Sequence, residues 1–247
     1  MPAELKSSPK QRLRDPRVAS IYGALGATAV SAWFFAALAG RVLQGQAPAF
    51  DQAILLALRN PTDLRLPSGP PWLPEAARDV TALGGVTVLT LAVLAALGYL
   101  LLLRRYWTSL FILVATVGGS AISFTLKDWY HRPRPSLVPH LTPVLTSSFP
   151  SAHAMLSAVV YLTFGGLLAQ LATRRRLKLY VLGVAVALTL LVGATRVYLG
   201  VHYPSDVLAG WSAGLAWASL SALAARLLRR RSPTLRHEAQ SQTAGEV

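Results

Sequence analysis

Thr195-Arg196-Val197-Tyr198-Leu199-Gly200-Val201-His202-Tyr203-Pro204-Ser205-Asp206 sets an arginine, a histidine and an aspartate between two uncharged apolar runs, residues 179–195 and 207–225. Ionisable groups at the edge of such runs are costly in lipid and mark a site. Working outward, four more uncharged runs occur at 18–40, 80–103, 106–126 and 154–173. Each approaches the ~20 residues that a bilayer-spanning helix needs. The first is too long for a signal-peptide apolar region and reads as an uncleaved span. The whole chain is 53% hydrophobic and only 14% charged, with mean hydropathy +0.44. A soluble domain carries about a quarter charged residues. The expected fold class is therefore all-α: an integral membrane bundle of six transmembrane helices, residues 18–231. A basic flexible tail, 1–17, precedes it, and a polar disordered tail, 232–247, follows.

Charge placement orients this bundle. The net charge is +14, which in a soluble protein would point to nucleic acid. Here sixteen of the 24 lysines and arginines fall on the side of the two termini, including Arg104-Arg105, Arg174-Arg175-Arg176 and Arg229-Arg230-Arg231. Cytoplasmic loops carry the excess of Lys and Arg, so both termini are expected in the cytoplasm. Topology then accounts for most of the basic charge, with no nucleic-acid partner. The absence of cysteine excludes disulfides and thiolate metal sites. The loop 41–79 is rich in proline. Its stretch 50–59 reads equally as a helix at the membrane surface or as a helix packed within the loop.

With six spans, the ends of spans three and five and the starts of spans four and six meet at one membrane face, opposite the termini. Three polar sets lie there. The first is Lys127-Asp128-Trp129-Tyr130-His131-Arg132-Pro133-Arg134-Pro135. Arginine offers a planar fork to phosphate oxygens and lysine a point charge; alone, the set reads equally as a basic membrane edge. The second is Ser147-Ser148-Phe149-Pro150-Ser151-Ala152-His153. Ser151 is a good N-cap, and a helix start with free N–H groups is an anion site. His153 would lie in the first turn, where it can exchange a proton near neutral pH. The third is the opening stretch. Pro204 suits the first helical position, and Asp206 then falls in the first turn. A carboxylate on one ring nitrogen of His202 would fix its tautomer and leave the other free to attack. A structural His–Asp pair is the alternative for this set alone.

Together, Lys127-x6-Arg134-Pro135, Pro150-Ser151-Ala152-His153 and Arg196-x5-His202-x3-Asp206 resemble the three-part signature of the type 2 phosphatidic acid phosphatase superfamily. That superfamily includes membrane lipid phosphate phosphatases and the soluble vanadium haloperoxidases. The resemblance covers roughly residues 80–226, with order and spacings matched. Ala152 replaces the usual glycine and Thr195 the usual serine, departures that imply an altered rate or pocket shape.

The resemblance implies an enzyme, a metal-independent lipid phosphate phosphatase with no cofactor. His202 would attack phosphorus to give a phosphohistidine, and Asp206 would orient it. His153 would act as acid and then base. Lys127, Arg134, Ser151, the backbone of Ala152, and Arg196 would hold the phosphoryl oxygens. Three cationic side chains would take the part that Mg²⁺ plays elsewhere. The expected partner is a lipid phosphate, with undecaprenyl diphosphate first and phosphatidylglycerophosphate or phosphatidic acid next, at the extracytoplasmic side of the cell membrane. The alternatives are lipid phosphotransfer through the same intermediate, or transport of an anionic lipid. His131 and Arg132 are extra polar residues, for which the sequence offers only a contact to the substrate head. It encodes neither the lipid nor the oligomeric state.

Overall fold

The computed structural model describes residues 16–46, 48–144 and 146–231. Among these it contains eight helices and no strand: α1 Pro16–Leu43, α2 Ala49–Ala57, α3 Leu73–Ala82, α4 Val86–Leu102, α5 Tyr106–Tyr130, α6 Ala152–Leu171, α7 Arg175–Tyr198 and α8 Pro204–Arg231. The expected tails at 1–17 and 232–247 lie outside the described residues, apart from Pro16 and Arg17 at the start of α1.

Helices α1, α5, α6, α7 and α8 are each long and apolar enough to cross a membrane. A sixth span exists only if two helices are counted as one bent span. Helices α3 and α4 qualify only together, across a 42° break. The uncharged run at 80–103 straddles this break, so the span begins earlier than the hydropathy indicates. Gly85, extended at φ −70° and ψ 146°, is the N-cap of α4. Helix α3 starts with Pro near its first position and carries Glu75, Arg78 and Asp79, which masks it as loop in a search for apolar runs. Large side chains that face outward, such as Leu102 and Trp33, form the lipid-facing surface.

Helix α6 is the centre of the bundle. Half of its most apolar window is buried, against 11% for α1. It packs on both α7 and α8, while α1 lies along α8, α4 lies on α5 and α3 on α7. Two indole hydrogen bonds tie the spans: Trp217 Nε1 donates to Ala115 O at 2.7 Å and Trp211 Nε1 to Thr189 O at 3.0 Å. In a bundle whose apolar surfaces gain little by leaving lipid, such bonds and close packing hold helices together. Gly210 shows the latter. A Cβ there would lie 2.6 Å from Ser151 O and 3.0 Å from Ala154 Cβ, so glycine lets α8 reach the start of α6.

Local stops place the polar sets at one end of the bundle. Helix α5 ends at Tyr130, with His131 left-handed at φ 46° as its C-cap, and Pro133 pushes the residue before it, Arg132, out of helical geometry. Ser151 caps α6, with its Oγ accepting from Ala154 N at 3.5 Å. Pro204 opens α8, where its missing N–H is no loss. Helix α2 is the packed alternative of the two readings for 50–59. Its Asp51 and Leu55 are fully buried, and it packs on α8.

Candidate active site

The eight residues expected to form the site all lie at the end of the bundle where α5 and α7 finish and α6 and α8 begin. Lys127 is in the last turn of α5 and is buried. Its Nζ donates to Ser147 O at 2.6 Å, and Ser147 Oγ returns a bond to Lys127 O at 2.9 Å. The segment before α6 is thereby laced to the end of α5. Arg134 donates from Nε to Thr146 O at 2.7 Å and from Nη1 to Val201 O at 2.6 Å. Nη2 also donates to Ser147 O at 3.5 Å, so Arg134 bridges the second and third polar sets.

His202 sits in the short link between α7 and α8 and is 1% exposed. Its two ring nitrogens face different groups. Nδ1 lies 3.4 Å from Asp206 Oδ2 and 3.4 Å from Ser148 Oγ, and Nε2 lies 3.3 Å from Arg134 Nη1. With the proton on Nδ1, the Nε2 lone pair points at the cation. Burial is the main cause that lowers the His202 pKa to about 3; Asp206 opposes the shift, and Arg134 and Arg196 reinforce it. The imidazole is thus neutral at pH 7. Burial likewise lowers the Arg134 pKa, with Asp206 opposing.

Asp206 is fully buried and fully engaged. Oδ1 accepts from Arg132 Nη1 at 2.5 Å. Oδ2 accepts from Tyr203 N at 2.9 Å and from Ser148 Oγ. The start of α8 is joined to that of α6 by Ser151 N, which donates to Asp206 O at 3.0 Å. His153, half-buried in the first turn of α6, is within electrostatic reach of Arg196, His202, Lys127 and Arg134. Ala152 is the first residue of α6, where N–H groups have no intrahelical acceptor. Arg196, 4% exposed, donates from Nη1 to Thr81 Oγ1 at 3.3 Å, while its buried Nε has no partner among the described residues. A buried, incompletely bonded guanidinium beside a helix start suits an anion. Among the described residues, no group of three or more His, Cys, Asp or Glu is arranged to hold a metal ion.

Three participants escaped the sequence reading. Ser148 supports both His202 and Asp206, and Thr81 holds Arg196, although it lies in the segment read as the second span's start. Asp51 lies behind Asp206, in a loop helix otherwise read only for its apolar pattern. A lone acid flanked by Ala49, Phe50, Ala53 and Ile54 was the available signal. For Arg132, whose role the sequence left open, the structure shows an inward one. Both Nη atoms are engaged inward, on Asp206, Ser205 and Asp51, because the left-handed residue at 131 turns the chain back over α8. His131 itself is exposed.

Beside this polar end, a cavity of about 470 Å³ opens between α2, α3 and α7. Its walls are almost wholly apolar, with Ile54, Leu73 and Leu191. Thr195 and Pro204, chain neighbours of Arg196 and Ser205, also line it.

A membrane bundle with a neutral, carboxylate-held histidine among fixed cations suits phosphoryl transfer from a membrane substrate. The model of the PAP2 superfamily matches residues 105–230. Phosphatidylglycerophosphatase B of Bacillus subtilis (strain 168) is 35% identical over 149 residues, 59% of this chain and 71% of that protein. The crystal structure of a transmembrane PAP2 type phosphatidylglycerolphosphate phosphatase from Bacillus subtilis superposes with a TM-score of 0.68 at 30% identity, covering 79% of this chain and 94% of that one. Aquifex aeolicus LpxE shares the fold, with a TM-score of 0.55 at 22% identity over 71% of this chain and 96% of that one. The chain belongs to the PAP2 superfamily, as a multi-pass membrane lipid phosphatase.

Proposed function

We propose that the protein removes a phosphoryl group from a lipid phosphate at the extracytoplasmic face, through a phosphohistidine on His202 Nε2. The observation that carries this reading is the His202 ring, held at Nδ1 toward Asp206 and facing Arg134 at Nε2. Substrate phosphate draws Arg134 onto its oxygens and frees the lone pair. Lys127, Arg196, Ser151 and the N–H of Ala152 supply the other donors. Several fixed donors are what charge on phosphoryl oxygens requires. Nε2 attacks phosphorus, the bond to the leaving oxygen breaks, and His153 gives that oxygen its proton. Water then attacks the phosphohistidine while His153 takes the water's proton, and free phosphate leaves. Asp206 supports the positive imidazole between the two steps.

The apolar cavity beside Thr195 and Pro204 favours a substrate with a hydrocarbon part. The names of the relatives favour phosphatidylglycerophosphate as first substrate, ahead of undecaprenyl diphosphate and phosphatidic acid. The extracytoplasmic site rests on the distribution of Lys and Arg. The test is phosphate release by purified protein in detergent over these three lipids, with EDTA present. Release by wild type and none by His202→Ala is expected. Activity abolished by EDTA would overturn the metal-free mechanism. Lipid movement by His202→Ala without release by wild type would favour transport.

A further inference from the structure

Behind the Asp206 carboxylate lies a second buried ionic group contributed by three separate segments. Asp51 comes from α2, Arg132 from the turn after α5, and Ser205 from the first turn of α8. Arg132 Nη1 donates to Asp206 Oδ1 at 2.5 Å and to Ser205 Oγ at 2.8 Å, and Nη2 donates to Asp51 Oδ2 at 3.0 Å. Asp51 accepts in turn from Ser205 N at 2.8 Å and from Ser205 Oγ at 2.5 Å. Asp51, Ser205 and Asp206 are fully buried, and Arg132 is 9% exposed. The Arg132 guanidinium also lies 4.2 Å over the Tyr203 ring, which fixes its plane.

One guanidinium thus serves two carboxylates, and the group carries a net negative charge. The arrangement has a chemical consequence. Alone with Asp206, Arg132 would draw that carboxylate's charge toward itself and leave a poorer acceptor for His202 Nδ1. Asp51 shares the guanidinium and limits that pull. It also accepts the Ser205 N–H at the start of α8, and so fixes the turn on which Asp206 is carried. A loop helix distant in sequence therefore governs both charge and position of the group that aligns the nucleophile.

We infer that Asp51, acting through Arg132 and Ser205, is a positioning residue for the His202–Asp206 pair. It touches neither substrate nor reacting atoms. This inference rests on the phosphohistidine reading, and the variants separate the two. Asp51→Asn keeps the shape and removes the charge. It is expected to lower kcat about 10–100-fold, the scale of an ångström-level misplacement at a reacting centre. KM should stay within about twofold, because Asp51 touches no substrate and its loss is felt only in the alignment of His202 for attack. Asp51→Glu should recover part of the kcat.

Inhibition by orthovanadate, which needs the same Nε2 lone pair, should weaken in parallel with kcat. Arg132→Lys keeps the charge but loses the fork. The double variant Asp51→Asn/Arg132→Lys should be no slower than Arg132→Lys alone, since both act through one guanidinium. Should Asp51→Asn fail to fold, Ser205→Ala, which removes only the bridging hydroxyl, is read in its place with the same signs. A variant with wild-type kcat and vanadate sensitivity, in an enzyme silenced by His202→Ala, would overturn this inference alone. Losses that multiply in the double variant would overturn it too. A wild type that releases no phosphate from any lipid would overturn the reading beneath it.

Discussion

At the scale of the residue, the two histidines differ in what surrounds them. His202 is enclosed and bonded on both nitrogens, so its tautomer is set. His153 stands half-buried on the first turn of α6, near the cations Arg196, Lys127 and Arg134. The first environment suits a nucleophile whose lone pair must point one way. The second suits a group that gives up and takes back a proton. Loss of a general acid–base costs about 10²–10⁴-fold, so His153→Ala should retain slow phosphate release while His202→Ala has none. Stopped-time assays with a lipid phosphate in detergent would check this. Equal loss in the two variants would contradict the division of roles.

At the scale of the element, the link between α7 and α8 carries the site. It turns through Gly200, at φ +75°. A Cβ there would meet Arg59 Nη2 at 2.6 Å and Pro139 O at 2.9 Å. Arg59 is itself buried and donates to Leu58 O and Tyr198 O, both at 3.0 Å. It fastens the loop after α2 to the end of α7. Gly200→Ala meets both a left-handed backbone and a filled space, so it should cost about 1–3 kcal/mol. A lowered thermal midpoint in detergent, together with reduced kcat, is expected. An unchanged midpoint would show that the link relaxes freely. The same link explains which parts were legible. Pro204 and the i, i+4 spacing of His202 and Asp206 announce a helix start with a polar pair, because they act over a few residues. Helix α3 was hidden because Glu75, Arg78 and Asp79 break an apolar run even though its buried face, Ala77 and Thr81, packs inward.

At the scale of the whole molecule, the question is which end faces outward. The basic residues concentrate at the end opposite the site, in Arg104-Arg105 and Arg174-Arg175-Arg176, and on the positive-inside rule we propose that this end faces the cytoplasm. The chain has no cysteine, so single replacements report without background. His131→Cys, at an exposed position by the site, should react with a membrane-impermeant maleimide on intact cells. Arg175→Cys, at the start of α7, should react only after permeabilisation. The reverse pattern would invert the proposed topology and place the substrate phosphate in the cytoplasm.

The sequence alone determined the all-helical membrane bundle and the three polar sets at the ends of its spans. Lipid demands long uncharged runs, and caps, prolines and short spacings are local rules. The pairing of His202 with Asp206 was also within its reach, one helical turn apart. Tertiary structure decided what stands behind that pair. Asp51 lies 155 positions from Asp206 along the chain, and no local rule relates them. Only the packing of α2 on α8 and the turn at His131 bring Asp51, Arg132 and Ser205 together. There, buried charges must find partners from whichever segment the fold supplies.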